Sequence, residues 1–311
     1  MNLQDWLRHC EQLHPQTIDM GLERIQKVAQ TMQLRMPCPV ITVAGTNGKG
    51  STCAMLESVY RHTGFKTGLY TSPHLVYFQE RCRLNGQPAS ADMLIPHFAR
   101  VEAARGDISL SYFEFTSLAL FSCLSLAQLD VVILEVGLGG RLDATNVVPR
   151  PAATAITSIS MDHMDFLGDA LGKIAAEKAG IMRAGVPCVT GAQAPEALSV
   201  ISATAAECAA PLLQRGQDWF CEVTAQGLTF RDAQGASALP PPGLIGPHQA
   251  DNAGIAIAAL RAAQLPWLND AAIARGVANA SWPARLQRLE GSLAALLPAD
   301  FSLWLDGGHN A

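Results

Sequence analysis

The sequence contains no apolar run long enough to span a membrane. Its longest candidate, residues 118–127, is interrupted by Ser122 and Cys123 and falls well short of the roughly 18 to 20 apolar residues that a membrane helix needs. The amino-terminal residues include Asp5 and Glu11 but no basic segment followed by an apolar one, so they do not indicate a secretory signal. We therefore expect a cytoplasmic protein without a membrane partner.

Closely spaced cysteines and an excess of basic residues are also absent. No two of the eight cysteines form a Cys-x-x-Cys pair, so we expect neither a zinc site nor a disulfide framework. Charged residues make up 16% of the chain and its formal charge is −5, which argues against nucleic acid as a partner. The 49% hydrophobic fraction excludes general disorder.

What the sequence does contain is an alternation of strand and helix patterns over its first two hundred residues. The predicted strands are residues 39–43, 129–136, 154–159 and 186–190, and the predicted helices between them are residues 51–62, 113–127 and 171–182. The run 129–136 is apolar on both faces, which is typical of a central parallel strand covered by helices. We predict an α/β fold with a doubly wound, mostly parallel sheet.

The pattern changes after residue 211. Residues 219–231 alternate as in an antiparallel hairpin, predicted to be a small β patch appended to the same domain, and helices follow at 249–263 and 270–278. A last strand, 301–305, enters a Gly-rich turn, which normally opens another βαβ unit. We expect a first domain over residues 1–297 and, at 298–311, the start of a truncated second α/β domain.

A Gly-rich loop joins the first strand to its helix. It consists of Gly45, Thr46, Asn47, Gly48, Lys49, Gly50 and Ser51. Its glycines let backbone approach a phosphate, the helix N-terminus presents amides, and the lysine adds a positive charge. The match to the Walker A pattern is imperfect because Val43 replaces its first glycine and Gly50 separates the lysine from the serine. The alternative is an ordinary βα turn.

Two polar residues follow predicted strands. Glu135 ends a buried strand, at the edge where open α/β sheets bind ligands, and a buried carboxylate requires a cation. His163 follows the next predicted strand along the chain, so the two side chains are expected at the ends of adjacent strands. The alternatives are a strand-end glutamate that pairs with arginine or caps a loop, and a histidine that is only hydrogen-bonded within its loop.

Several segments resemble the Mur ligase superfamily. The loop Gly-Thr-Asn-Gly-Lys-Gly-Ser is similar to its phosphate loop, and further blocks follow in the family's order at 71–75, 80–86, 134–146, 162–168, 177–181, 282–287 and 306–310. Within the superfamily, segments 17–24 and 142–145 resemble the bifunctional dihydrofolate synthase/folylpolyglutamate synthases of bacteria. The expected fold is therefore of the P-loop, Mur-ligase type.

The resemblance implies a role for each matching residue. ATP would bind at Gly45 to Ser51 with His248, Asn252, Arg285, Asp306 and His309; Mg²⁺, in two ions, at Ser72, Glu135, His163 and Lys178; and the pterin at Met20, Ser111, Phe113, Asp143 and Ala144. Lys49, His163 and Lys178 would be catalytic, and the family lysine that matches Lys178 is carbamylated. From the residues alone, Lys178 could equally be a surface lysine, Phe113 a core residue, and His248 and Asn252 a helix cap.

The implied activity is that of an ATP-dependent ligase. It would convert the carboxylate of dihydropteroate or a folate to an acyl phosphate and join it to L-glutamate, with small-molecule partners only and as a monomer. Given the expected truncation, the 311-residue chain is predicted to be a poor catalyst alone. The alternatives are a Mur-type cell-wall ligase, a P-loop NTPase or kinase, and a non-catalytic nucleotide-binding fragment; no Asn-Lys-x-Asp guanine motif is present.

Overall fold

An eight-stranded sheet organises the chain in a computed structural model that describes residues 1–16, 19–266, 268–298 and 300–308. The strands of the described residues are β1 (Val40–Ala44), β2 (Thr67–Tyr70), β3 (Cys82–Leu84), β4 (Gln87–Pro88), β5 (Val131–Glu135), β6 (Ala153–Ile156), β7 (Cys188–Thr190), β8 (Leu212–Gln214), β9 (Phe220–Thr224), β10 (Gly227–Asp232), β11 (Gly235–Leu239), β12 (Gln287–Leu289) and β13 (Leu303–Leu305). The α-helices are α1 (Leu3–Gln12), α2 (Glu23–Thr31), α3 (Lys49–His62), α4 (Ala91–Arg105), α5 (Tyr112–Leu126), α6 (Met164–Leu167), α7 (Leu171–Ala179), α8 (Pro195–Glu207), α9 (Gln249–Ala263) and α10 (Asp270–Ala278).

The strand order of the large sheet is β4-β3-β2-β5-β1-β6-β7-β8. All neighbours from β2 to β8 pair in parallel, and β3 and β4 add an antiparallel edge. The prediction of a mostly parallel, doubly wound sheet is thus confirmed. The expectation that the strands before Glu135 and His163 are neighbours is wrong, because β1 pairs with both β5 and β6 and lies between them.

Helices cover both faces because the central strands have no polar face. All five residues of β1 and of β5 are buried. One core contains side chains of α1, α2, α4 and α5, and another contains α3, α9 and α10. α5 is buried from Glu114 to Leu124, so this helix lies between the sheet and the outer helices rather than at the surface. None of the helices within the described ranges has both the length and the apolar character to cross a bilayer.

The β patch is larger than the predicted hairpin. β9, β10 and β11 form a three-stranded antiparallel sheet. Trp219 and Phe230 stack with ring centroids 6.0 Å apart, and a Cβ at Gly254 of α9 would lie 2.6 Å from Trp219. Glycine at this position lets the patch pack directly on α9, which anchors the helix whose N-terminus reaches the phosphate loop.

The last strand has an antiparallel partner. β13 pairs with β12 through Gln287 to Leu305 and Leu289 to Leu303, whereas the sequence suggested that this strand opens a βαβ unit. The predicted boundary between residues 297 and 298 falls in the connection between the two strands and stays a prediction.

Candidate active site

The phosphate loop leaves the carboxyl end of β1 and enters α3. Gly45 and Gly48 have φ values of +143° and +89°, and a Cβ at Gly45 would overlap Thr157 Oγ1. The amide of Thr46 donates to the Ser158 carbonyl at 2.8 Å, and the Thr46 hydroxyl donates to that of Ser160 at 3.2 Å. Only glycine fits this backbone path, and the segment after β6 holds the loop in place.

The lysine of the loop folds back over it. Lys49 Nζ donates to the carbonyl oxygens of Gly45 at 3.0 Å and Thr46 at 2.9 Å. Its positive charge therefore lies inside the curve of the loop, where a phosphate would meet it together with the amides of the α3 N-terminus.

The N-terminus of α9 packs on the other side of the loop. Asn252 is buried, and a Cβ at Gly48 would overlap its Oδ1. Gln249 Nε2 lies 3.4 Å from Ser51 Oγ and 3.1 Å from His248 Nε2, while Asn252 Nδ2 donates to Gln249 Oε1 at 3.0 Å. His248 occupies the N-cap position of α9, as the helix-cap alternative proposed, but its side chain makes no cap hydrogen bond. Gln249 could not be predicted from the sequence, since no local pattern marks a glutamine that contacts a loop 198 residues away.

Glu135 lies deep in the cleft at the end of β5. The residue is 6% exposed, and its carboxylate accepts the Ser72 amide at 3.3 Å. Burial raises its pKa to about 7, against the opposing influence of the Lys49 ammonium, the Ser72 amide and the Arg285 guanidinium. A carboxylate whose ionised form is so poorly solvated would be stabilised by a bound cation.

Lys178 is buried in α7 beside the loop, so the alternative of a surface lysine is wrong. Its Nζ donates to the Gly45 carbonyl at 2.8 Å, the same oxygen that Lys49 contacts. Burial, and then the nearby Lys49 charge, lower the Lys178 pKa to about 7. A substantial fraction of this amine is therefore neutral near pH 7 and able to act as a nucleophile.

His163 lies at the rim of the cleft. It has a left-handed backbone with φ +48°, its half-exposed ring has Nε2 3.7 Å from Asp162 Oδ2, and it lines a cavity together with Ser72. Across the ranges the structure describes, no group of three His, Cys, Asp or Glu side chains is placed to hold a metal ion. A site here would combine one carboxylate with hydroxyl, imidazole or modified lysine ligands.

The five predicted pterin residues meet around one cavity of about 270 Å³ beside the loop. Its walls include Met20, Ser111, Phe113, Asp143, Ala144, Ser72 and His163, and also Asp19, Arg81 and Glu114, which the sequence analysis did not select. Phe113 is only partly buried, so it lines the cavity as well as packing against the core. The cavity is mostly apolar, as an aromatic ligand requires.

Two of these residues also shape the cavity wall. The Asp143 carboxylate accepts the amides of Gly137, Leu138 and Thr145 and the Thr145 hydroxyl, at 2.7 to 3.0 Å. Ser111 caps α5 in a reciprocal pair with Glu114. Both polar side chains are thus hydrogen-bonded to backbone amides of nearby residues, and these hydrogen bonds fix the geometry of the cavity walls.

The remaining predicted nucleotide residues lie close together near the C-terminal hairpin. Asp306 accepts the amides of Leu286 at 2.7 Å and Gly308 at 2.8 Å; the first of these hydrogen bonds contributes most to lowering its pKa, with smaller effects from Arg285 and His248. His309 lies outside the described residues.

Comparisons with known proteins show which family the chain resembles. The Mur ligase middle domain family matches residues 43–260. The dihydrofolate synthase/folylpolyglutamate synthase of Escherichia coli is 48% identical over 287 residues, which cover 92% of this chain and 66% of that protein. The structure of Escherichia coli FolC in complex with DHPP and ADP superposes with a TM-score of 0.91 at 44% identity, covering 100% of this chain and 72% of that one.

A second solved structure adds other ligands. A bifunctional folylpolyglutamate synthase/dihydrofolate synthase with Mn, AMPPNP and L-glutamate bound superposes with a TM-score of 0.88 at 42% identity, again over 100% of this chain and 72% of that one. The chain spans about half to two thirds of the length of the curated relatives that it matches.

Proposed function

This chain belongs to the Mur ligase family, and on that premise we propose that it serves ATP-dependent ligation of L-glutamate to dihydropteroate or a folate. The observation that carries the proposal is one juxtaposition: Ser72 donates its amide to the buried Glu135 beside the phosphate loop and also lines the aromatic-sized cavity. A γ-phosphate in the loop and a carboxylate entering from the cavity would meet at this point.

Each residue has a proposed part in that reaction. A carboxylate is a poor electrophile for an amine, so phosphorylation must precede amide formation. Lys49 and the α3 amides would bind the γ-phosphate and stabilise the charge that develops during its transfer. Phe113 and the Asp143 loop would hold the pterin so that its distant carboxylate points to Ser72. His248, Asn252, Arg285 and Asp306 would bind the rest of the nucleotide.

The residues also fit a divalent cation. The buried Glu135 carboxylate, whose pKa burial has raised to about 7, is the strongest candidate ligand, with Ser72, His163 and Lys178 completing the proposed set. Magnesium bound there would neutralise phosphate charge and act as a Lewis acid. The neutral fraction of Lys178 could react with carbon dioxide to a carbamate, releasing a proton and replacing a cation by an oxygen ligand.

An ADP-release assay tests the function. We expect ADP formation with ATP, magnesium and dihydropteroate or tetrahydrofolate that depends on glutamate, with the glutamylated product detected by mass spectrometry. Glutamate-independent phosphate release would indicate an NTPase, and turnover only with a UDP-linked substrate a cell-wall ligase. Nucleotide and dihydropteroate binding, measured by calorimetry in parallel, tests the two sites separately from turnover.

A further inference from the structure

Trp282 lies against the phosphate loop. A Cβ at Gly50 would come within 2.9 Å of the indole Nε1 and 3.5 Å of Cε2, so the edge of the ring contacts the first turn of α3 directly. The ring is partly buried and packs against the core that contains α3 and α9. Without a side chain at Gly50, the indole packs directly on the backbone where the loop enters α3.

The face of the same ring is covered by Arg83 of β3. The guanidinium carbon lies 4.7 Å from the ring centroid. Arg83 Nε is buried without a hydrogen-bond partner, so the aromatic face is a main contact of that side of the guanidinium. Its charge faces Glu57 of α3, where it opposes the rise in the Glu57 pKa that burial causes. Trp282 is thus held between β3 and α3.

Trp282 also lies only three residues before Arg285 in the sequence. Ala284 and Leu286, on either side of Arg285, both have left-handed backbones with φ +53° and +44°, which non-glycine residues adopt only when surrounding contacts hold them there. The far end of the segment is fixed by the Gly307 amide on the Ala284 carbonyl at 2.9 Å and by the Leu286 amide on Asp306.

We propose that Trp282 is a positioning residue that couples the phosphate loop to Arg285. When a nucleotide phosphate occupies the loop, the indole moves together with the backbone at Gly50. The constrained segment from Ala284 to Leu286 carries this displacement to the Arg285 guanidinium, whose charge acts on Glu135. The inference rests on the proposed function, because it takes the loop to be a nucleotide site. It predicts that nucleotide binding changes the surroundings of this indole.

Calorimetry on the 311-residue chain tests the coupling. Trp282→Ala should weaken Mg·ADP binding about tenfold, while Trp282→Phe, which keeps a flat ring under Arg83, should recover most of that loss. Dihydropteroate affinity should change in neither variant, since Trp282 does not line that cavity. A purely structural tryptophan would instead weaken both ligands with the loss of folded protein, which circular dichroism reports.

Tryptophan fluorescence gives an independent readout. Adding Mg·ADP should change the emission of the parent chain and of the control Trp6→Phe, a tryptophan of the α1 core, and the change should be lost in Trp282→Phe. If Trp282→Ala does not fold, this experiment decides alone. A signal that persists in Trp282→Phe overturns the inference while leaving the nucleotide site intact; a parent chain that binds no nucleotide overturns the proposed function instead.

Discussion

Lys49 and Lys178 donate to the same carbonyl oxygen, that of Gly45. Two ammonium groups this close repel each other, and the more deeply buried one is the better placed to lose its proton. Burial, and then the nearby Lys49 charge, thus lower the pKa of this lysine in an alanine-rich helix to about 7. The negative charge of phosphate oxygens bound in the loop would offset the positive charge of these two lysines.

The lowered pKa of Lys178 predicts a dependence of stability on pH. The unfolded chain protonates this lysine up to about pH 10.4, whereas the folded chain does so only up to about 7. Between these values the unfolded state binds more protons, so the free energy of unfolding contributed by this group rises with pH. Lys178→Met should be more stable than the parent near neutral pH and should lose part of the rise toward pH 9. Urea unfolding at several pH values measures the stability difference and its pH dependence. Lys173→Met is the control, because Lys173 is an exposed lysine paired with Asp169. Parallel curves of unfolding free energy against pH for Lys178→Met and the parent would contradict the lowered pKa of Lys178.

The raised pKa of Glu135 predicts that magnesium binding depends on pH. Because its pKa is raised to about 7, the carboxyl group is increasingly protonated below neutral pH, and the proton competes with a cation. The magnesium concentration that half-saturates ADP binding should rise several-fold between about pH 8 and about pH 6. Glu135→Gln should need more magnesium at every pH and lose most of this slope. An unchanged slope in that variant would assign the titration to another group.

Lys49→Ala tests the loop itself. Removal of the Lys49 ammonium from the curve of the loop should weaken ADP binding by about tenfold or more, while the midpoint of thermal unfolding changes little, since its two hydrogen bonds go to carbonyl oxygens of its own loop. Lys173→Ala is the matched control. Equal affinities for the two variants would argue against the loop as the phosphate site.

At the scale of elements, local patterns predicted some features and not others. The bounds of α9 and α10 match the prediction because a Pro-rich turn and an Asn269 cap mark them. β2, only four residues long and containing Gly68, was missed, as was the position of β1 between β5 and β6, since strand order depends on pairing between distant segments. Side chains at strand ends were predictable; Gln249, Arg81 and Trp282 were not, because each reaches the site only through tertiary packing.

Two residues of the cavity wall, Phe113 at the start of α5 and Gly137 in the loop after β5, should affect pterin binding selectively. Phe113→Ala should weaken dihydropteroate binding more than ADP binding, because it removes the aromatic wall of the cavity. Gly137→Ala should do the same, since the added Cβ would lie 2.5 Å from Phe113 Cζ and displace the ring. Phe65→Ala, whose ring stacks on Tyr60 on the other side of the sheet, controls for lost packing. Equal weakening of both ligands by Phe113→Ala would make Phe113 a core residue only.

At the scale of the molecule, the two candidate sites share one edge of the sheet. Parallel pairing aligns the carboxyl ends of β2, β5, β1 and β6, with Val43 opposite Glu135 and Tyr70 opposite Leu134. The loops that leave these strands therefore converge, and residues as distant in sequence as Ser72 and His163 line one cavity.

This convergence predicts how two ligands stabilise the fold together. A ligand at about 100 times its dissociation constant adds about 2.7 kcal/mol to the free energy of unfolding, which for a chain of this size raises the unfolding midpoint by several degrees. Because none of residues 45–51 of the phosphate loop lines the cavity, Mg·ADP and dihydropteroate should raise the midpoint additively. Lys49→Ala should lose only the nucleotide increment and Phe113→Ala only the pterin increment, as measured by differential scanning calorimetry. A combined shift no larger than the greater single shift would mean that the two ligands compete for one space, and the assignment of separate sites would be wrong.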